Sequence, residues 1–343
     1  MHDLDNQNNI TQGPIAVLGA GSWGTALAIH LSLNSNSVRL FARNKEQIDA
    51  MRQSRVNQRY LPGIELPSEL QLFSDLEQCL HGVSEVMVAV PSTQFEAVLL
   101  QLKQCMQHPW RLLWVTKGLD KRSNILLSEL VSNIFSDSLP MAMLSGPSFA
   151  KEVALQMPTA VSISGNDVDW CHALVARFHA DNFRVYYNED FIGMQLCAVG
   201  KNVLAIAVGI AEGMGFGANS KAALITRGMV ELQRLLVSMQ AASSTILSLA
   251  GVGDIVLTCT DNQSRNRRFG VALGAGASIE DAEQQVGMEI EGRNNVSQLR
   301  ALARRHAIDM PVVEQVYLFL RQEISRDQLV SNLVGRPSKS EFE

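Results

Sequence analysis

The sequence predicts an α/β protein, a doubly wound sheet followed by an all-α C-terminal half. Three observations carry this. Residues 15–43 run strand, glycine turn, helix, strand. Short, near-continuous apolar runs then recur at 85–90, 112–115 and 141–144, as buried parallel strands require. From Phe191 onward the apolar runs have helical length and few strand signals. At 343 residues the chain is long enough for two cores. The change of character at Asn188-Glu189-Asp190 divides it into a polar tail (1–14), a sheet domain (15–188) and a helical domain (189–343).

The leading unit is the most informative. Ile15-Ala16-Val17-Leu18 is a short β-rich run, Thr25 to Leu33 is helical, and Val38 to Ala42 is a second strand. Between strand and helix stands Gly19-Ala20-Gly21-Ser22-Trp23-Gly24, a G-x-G-x-x-G turn. In that context Gly19 permits the tight turn, Gly21 lets a pyrophosphate approach the backbone, and Gly24 lets the helix pack on the strand. The helix N-terminus then faces the phosphates. This is a Rossmann-type NAD(P) site; the plainer alternative is a structural glycine turn that binds nothing. The second strand ends in Arg43-Asn44 with no carboxylate before Glu46. Arg43 can pair with a ribose 2′-phosphate, which admits NADP(H) beside NAD(H). Its plainer alternative is a solvated strand-end arginine.

Composition narrows the class. Hydrophobic residues at 46% and charged residues at 18% describe a globular protein. A net charge of −5 opposes general nucleic-acid binding, so any anion must be held by a local basic cluster. The five cysteines (79, 105, 171, 197, 259) are scattered and form no C-x-x-C pair, which predicts reduced thiols in a cytoplasmic protein. The Asn/Gln-rich first fourteen residues lack signal-peptide character and predict a disordered tail. Leu196 to Ala211 is the most apolar later stretch. It reads as too short to span a bilayer and carries Lys201, so no membrane insertion is expected.

The remaining elements follow in order. Lys45 to Arg52 is a helix, Tyr60 to Gly63 a turn, and Glu85 to Val90 a strand ended by Pro91-Ser92. Phe95 to Met106 is helical, Leu112 to Val115 a strand, and Ser123 is expected to cap a helix to Phe135. Met141 to Leu144, Ala160 to Ser164 and Phe183 to Tyr187 are strands, the last two around a helix from Val168 to Phe178. The loops after Val90, Val115 and Leu144 lie at strand carboxyl ends, where open α/β sheets bind ligands. In the second half, 231–239, 279–286, 296–306 and 312–320 fit helices.

Four places can carry chemistry. Lys201 sits inside an apolar helical run, where burial lowers an ammonium's pKa unless a carboxylate pairs with it; such a lysine is a usable general acid/base. Otherwise its stem packs while its head reaches solvent. Asp254, in Ala250-Gly251-Val252-Gly253-Asp254, is a candidate partner or a simple turn aspartate. Asn262 to Arg268 is the one dense basic cluster, with Ser264 a candidate N-cap: a phosphate site, or else a nucleic-acid patch, which the net charge disfavours, or a solvated helix face. Lys117-Gly118 faces the same cleft from a strand end, or is a surface loop. The seven histidines show no metal-site pairing.

These stretches resemble the bacterial NAD(P)-dependent glycerol-3-phosphate dehydrogenases from Ile15 to about Gly335. The carriers are GAGSWGTALA (19–28), VPS (90–92), TKGL (116–119), SGPSFAKE (145–152), KNV (201–203), ITRG (225–228), AGVGD (250–254) and TCTDNQSRNRRFG (258–270). The resemblance implies that Ser22, Trp23 and Arg43 contact NADPH. It implies that Lys117 touches cofactor and substrate, that Gly146 and Ser148 meet substrate, and that Ala150 meets cofactor. It makes Lys201 the proton acceptor and places Asp254, Ser264, Arg265 and Asn266 in the substrate pocket, Arg265 also reaching the cofactor. Glu289 and Glu291 match a cofactor-side loop, with Thr258 and Asn202 near the catalytic group. Two departures stand out. The run Cys197-Ala198-Val199-Gly200 before Lys201 is atypical, and Glu289 falls where the family often has an apolar residue, so it is expected to act through its backbone.

The resemblance implies reversible hydride transfer between dihydroxyacetone phosphate and sn-glycerol 3-phosphate, without a metal, supplying glycerophospholipid synthesis in the cytoplasm; it admits a homodimer. Two other readings stay open. An enzyme of this architecture acting on a β-hydroxy acid would turn over an unphosphorylated substrate. A nucleotide sensor would bind NADPH without turnover.

Overall fold

A computed structural model describes residues 13–334. Eight strands form one sheet: β1 (Ile15–Leu18), β2 (Val38–Phe41), β3 (Gln71–Phe73), β4 (Glu85–Val88), β5 (Arg111–Trp114), β6 (Met141–Ser145), β7 (Thr159–Gly165) and β8 (Phe183–Tyr187). Their order is β3-β2-β1-β4-β5-β6-β7-β8. Neighbours are parallel except β6 and β7, which run antiparallel. The connecting helices are α1 (Ser22–Leu33), α2 (Lys45–Ser54), α3 (Leu76–Leu80), α4 (Ser92–Cys105), α5 (Leu127–Ile134), α6 (Ala150–Ala154) and α7 (Val168–Phe178). The continuous apolar strands follow from burial on both faces. In β1, Ile15 and Val17 enter one core while Ala16 and Leu18 enter the opposite one. The order reverses direction between β1 and β4, which opens a crevice at their carboxyl ends.

The second half is helical: α8 (Phe191–Gly213), α9 (Ala218–Ser238), α10 (Asp254–Thr260), α11 (Arg265–Gly274), α12 (Ile279–Val286), α13 (Glu291–Arg305), α14 (Pro311–Leu320) and α15 (Arg326–Val334). Helix α8 is its axis. Asp190 caps it, accepting from the Gly193 amide at 2.9 Å, and every residue from Gly193 to Ala211 is buried. At 23 residues it is long and apolar enough to cross a membrane, which corrects the expectation that this stretch is too short. It is buried inside the fold because its apolar surface meets protein on all sides. Its amino-terminal turns dock on the sheet half, where the Gln195 side chain bonds the Ser128 amide and hydroxyl, each at 3.0 Å. Its carboxyl-terminal turns lie backbone-to-backbone on α11: a Cβ on Gly209 would stand 2.3 Å from the Arg267 carbonyl oxygen, and one on Gly270 2.3 Å from that of Ile206.

Several expectations need correcting. Strand β3 and helix α3 carried no signal strong enough to be read, being three and five residues long. Helix α5 begins at Leu127, not at Ser123, whose amide and hydroxyl are instead taken by the Asp120 carboxylate at 2.7 and 2.6 Å in a preceding turn. Helix α9 begins at Ala218 and α13 at Glu291, both well before the expected starts, because their first turns are polar and half-exposed. The disordered tail falls on residues 1–12, outside the described residues. Gly13, assigned to it, is held: its carbonyl accepts at 2.9 Å from Arg177, a buried arginine paired with Glu85.

The α8–α11 contact leaves no room for a side chain. Gly270→Val is expected to destabilise the protein by about 1–3 kcal/mol through overpacking, read as a lower urea midpoint at unchanged m-value.

Candidate active site

A cleft of about 1390 Å³ runs from the carboxyl ends of β1, β2 and β4 to α8, α11 and the start of α13. At its sheet end the three glycines divide their work. Gly19 has φ +124°, and a Cβ there would sit 2.4 Å from the Ala89 carbonyl oxygen. A Cβ on Gly24 would sit 2.0 Å from the Gly19 carbonyl oxygen. Both positions serve the protein's own packing. Gly21, the N-cap of α1, has nothing within 4 Å and lines the cleft, so the space a side chain would fill stays open to a ligand. The first turn of α1 carries no acidic residue and no side-chain cap, leaving its N–H groups toward the cleft. Trp23 lines the cleft, and its buried indole N–H has no partner. Ser22 and Arg43 line it too, and Arg43 is held by a 2.7 Å bond to Gln94 Oε1. This donor set suits a dinucleotide: amides for a pyrophosphate, a guanidinium beyond the second strand.

The cleft floor holds a shared carboxylate. Asp254 Oδ1 accepts from Lys201 Nζ at 2.6 Å, and its Oδ2 from Lys117 Nζ at 2.8 Å. Thr258, one helical turn beyond Asp254, bonds Lys201 Nζ at 3.2 Å through its hydroxyl oxygen. Asp254 is 1% exposed and Lys201 7%. Burial pulls Lys201 down to about 8, against the attraction of Asp254 and with the help of Lys117's positive charge. Burial pushes Asp254 up, but the two ammoniums outweigh it and hold the carboxyl below its ordinary value. Asp254 is therefore a partner, not a turn aspartate. It reaches the lysines because Leu249–Gly253 forms a kinked turn with non-helical Gly251, which aims the start of α10 at α8.

The basic stretch is split by the helix it starts. Ser264 caps α11, its Oγ accepting from the Arg267 amide at 3.2 Å. Arg265 lines the cleft and donates to the Glu289 carbonyl at 3.1 Å. Asn266, 9% exposed, lines it beside Asn202, to which it donates at 2.9 Å. Arg267 points away and is buried against Asn262 and Glu212, so it holds the helix start and not a ligand.

Ser148, Ala150, Glu289 and Glu291 also line the cleft. Gly146 does not: its φ of +144° and a 2.9 Å approach to Val161 Cα show a glycine the turn itself requires, with its carbonyl taken by Ser148 Oγ. The Glu289 carbonyl accepts from Arg265, while its side chain accepts from Thr93 at 3.1 Å. Burial raises Glu291, against the pull of Arg265, Lys117 and Lys201. The atypical run before Lys201 fits its surroundings: Gly200 lies under Leu232, Ala198 enters the sheet-side core and Cys197 the helical core. Sequence reasoning missed Gln94 and Tyr60. Tyr60 lines the cleft beneath the Arg59 guanidinium, 5.2 Å above its ring. A glutamine two residues into a helix after the Val90 strand was the signal for the first; a turn tyrosine offered none. Among the described residues no group of His, Cys, Asp and Glu is placed to hold a metal ion.

A doubly wound sheet, a phosphate-ready helix start and a buried lysine–carboxylate group beside it are the architecture of a nucleotide-dependent dehydrogenase. The family models for the N-terminus and C-terminus of NAD-dependent glycerol-3-phosphate dehydrogenase match residues 14–171 and 190–331. The chain is 47% identical over 327 residues to a glycerol-3-phosphate dehydrogenase [NAD(P)+] of Legionella pneumophila (strain Paris), covering 95% of this chain and 98% of that one. It is 46% identical over 328 residues to that of Coxiella burnetii (strain RSA 331 / Henzerling II), covering 96% and 98%. The crystal structure of the Coxiella burnetii enzyme superposes with a TM-score of 0.92 at 45% identity, over 95% of this chain and 100% of that one. The chain belongs to the NAD-dependent glycerol-3-phosphate dehydrogenase family.

Gly21 separates binding from folding. Gly21→Ala is expected to cost at most about 1 kcal/mol of stability as an N-cap change. The same variant should weaken NADPH binding at least about tenfold by steric collision with the phosphates, read by quenching of tryptophan fluorescence.

Proposed function

We propose that this chain reduces dihydroxyacetone phosphate to sn-glycerol 3-phosphate, reversibly, with Lys201 as the proton-transferring group. The observation that carries the reading is the Asp254 carboxylate shared by Lys201 and Lys117 at 2.6 and 2.8 Å, beside a capped helix start bearing Arg265. The dinucleotide, when bound along Gly19, Gly21, Ser22, Trp23, Arg43 and Ala150, supplies or takes up the hydride at substrate C2. In reduction Lys201 Nζ gives its proton to the carbonyl oxygen; in oxidation it removes the hydroxyl proton. Asp254 holds both ammoniums in place. Lys117 keeps Lys201 acidic enough to act and, like Ser148, lines the cleft where substrate can reach it. Ser264, Arg265 and Asn266 take the phosphate, so that binding energy remote from C2 orients a small carbon skeleton.

The sheet domain over 15–188 carries the dinucleotide and the helical domain that begins at 189 the substrate. This reading supplies glycerol 3-phosphate to phospholipid synthesis. A cytoplasmic setting rests on the family resemblance. A homodimer rests on the family resemblance, and sedimentation in solution tests it.

Steady-state reduction of dihydroxyacetone phosphate, followed by nicotinamide absorbance, tests the chemistry. Lys201→Ala should lower kcat by about 100- to 10,000-fold. Arg265→Ala should lower kcat/KM by about 10- to 150-fold, the worth of a charge-assisted phosphate contact. Turnover of NADPH without effect of either variant would sink the reading. Arg43→Ala should narrow any preference for NADPH over NADH by roughly tenfold.

The pH dependence has opposite signs in the two directions. Reduction needs protonated Lys201, so its kcat/KM should fall as pH rises through about 8. Oxidation needs the neutral amine, so its kcat/KM should rise through the same range. Profiles of equal sign in both directions would remove Lys201 from the proton transfer.

A further inference from the structure

Behind the substrate end of the cleft lies a chain of buried side-chain amides. The Gly292 amide donates to Asn266 Oδ1 at 3.0 Å, and Asn266 Nδ2 donates to Asn202 Oδ1 at 2.9 Å. Asn202 Nδ2 donates to Asn295 Oδ1 at 2.9 Å, and Asn295 Nδ2 to Gln298 Oε1 at 3.0 Å. Gln298 Nε2 then donates to the carbonyls of Leu119 and Asp120, at 3.0 and 3.2 Å. The chain has one direction, set at both ends by backbone groups that cannot flip: an N–H at Gly292 and two C=O groups at 119–120. Asn295 is 0% exposed and Gln298 5%.

Two consequences follow. Each amide oxygen already accepts one bond within the chain, and each NH2 keeps one N–H unspent, so Asn202 and Asn266 offer the cleft they line a donor apiece, which suits an acceptor such as phosphate. The far end of the chain grips the residues directly after Lys117. The backbone is pressed close there: a Cβ on Gly118 would lie 3.3 Å from Asn295 Nδ2, and one on Gly292 2.6 Å from Asn266 Oδ1. Any displacement of Asn266 is thus felt at the Lys117 loop through packed, fully satisfied bonds.

We propose that Asn295 and Gln298 are positioning residues for the reaction: through this one-way amide chain they tie the Asn202–Asn266 phosphate donors to the loop that sets Lys117 on Asp254. The inference rests on the reading of Ser264, Arg265 and Asn266 as the phosphate site. Neither residue touches substrate. Asn295 works through Asn202, and Gln298 through the 117–120 backbone. Occupation of the phosphate site by a dianionic phosphate monoester then aligns the Lys117–Asp254–Lys201 group as well as holding the substrate.

The test compares dihydroxyacetone phosphate with dihydroxyacetone, which lacks the phosphate, in wild type, Asn295→Leu and Gln298→Glu. Asn295→Leu keeps the volume and breaks the chain in the middle. Gln298→Glu still accepts from Asn295 but cannot donate to the 119–120 carbonyls. The expected result is a loss of kcat/KM on the phosphorylated substrate that exceeds the loss on dihydroxyacetone by at least about tenfold. A merely structural role lowers both alike, and losses equal within about twofold overturn the proposal. If Asn295→Leu does not fold, Gln298→Glu decides alone. If wild-type turnover of dihydroxyacetone is too slow to measure, the pH profile of phosphate-substrate reduction decides. Loosening Lys117 frees Lys201 from a neighbouring positive charge, so the falling limb should move upward by about half a unit or more. An unmoved limb overturns the proposal. A wild type that leaves dihydroxyacetone phosphate untouched defeats the functional reading instead, and this inference with it.

Discussion

One carboxylate between two ammoniums sets the terms for the rest of the molecule. Asp254 is almost wholly buried, and a lone buried carboxylate would be neutralised or would unfold its surroundings. It stays ionised because Lys117 and Lys201 converge on its two oxygens. Those lysines come from opposite halves of the chain, one after β5 and one from α8. Their approach demands that the sheet edge, the axis helix and the start of α10 meet at one point. The kink at Leu249–Gly253 and the glycine contact of α8 with α11 are the local means by which they do.

Around that point the protein separates what it needs for itself from what it holds out to others. Gly19 and Gly24 are fixed by their neighbours, whereas Gly21 borders open space. Arg267 is spent on Glu212 while Arg265, two residues earlier, stays at the cleft. Adjacent residues of one motif thus do different jobs. The difference lies in which way a helix turns them, a distinction of about 100° per residue that a list of motif letters does not carry.

Much of this was legible in the chain. The strand–turn–helix at 15–33, Lys201 in its apolar run and Ser264 as a cap were readable because each has a strong local cause: backbone clearance, burial of charge, an unsatisfied helix start. The Lys201–Asp254 pairing was readable only as a candidate, since nothing local says which carboxylate lies near an amine 53 residues away. Strand β3, the early starts of α9 and α13, and the true start of α5 were not readable: β3 is three residues long, the first turns of α9 and α13 are polar, and the Asp120 carboxylate takes Ser123 into a turn of its own. Asn295 and Gln298 look like ordinary polar residues of an amphipathic helix. Only the fold turns them inward.

Helix α8 has one further consequence, for how the protein folds and moves. Its first turns complete the core beneath the sheet, with Ala198 among Phe95, Trp114 and Val131, and its later turns are the core of the helical half. The two halves therefore share a rod in place of a hinge. Losing α8 from one half would therefore uncover apolar surface in the other, which couples the stability of the two. Opening of the cleft by rotation of one half against the other would have to break that rod or drag it out of one core. The chain from Gly287 to Glu291, which bridges α12 and α13 at the cleft rim, lies outside that rod.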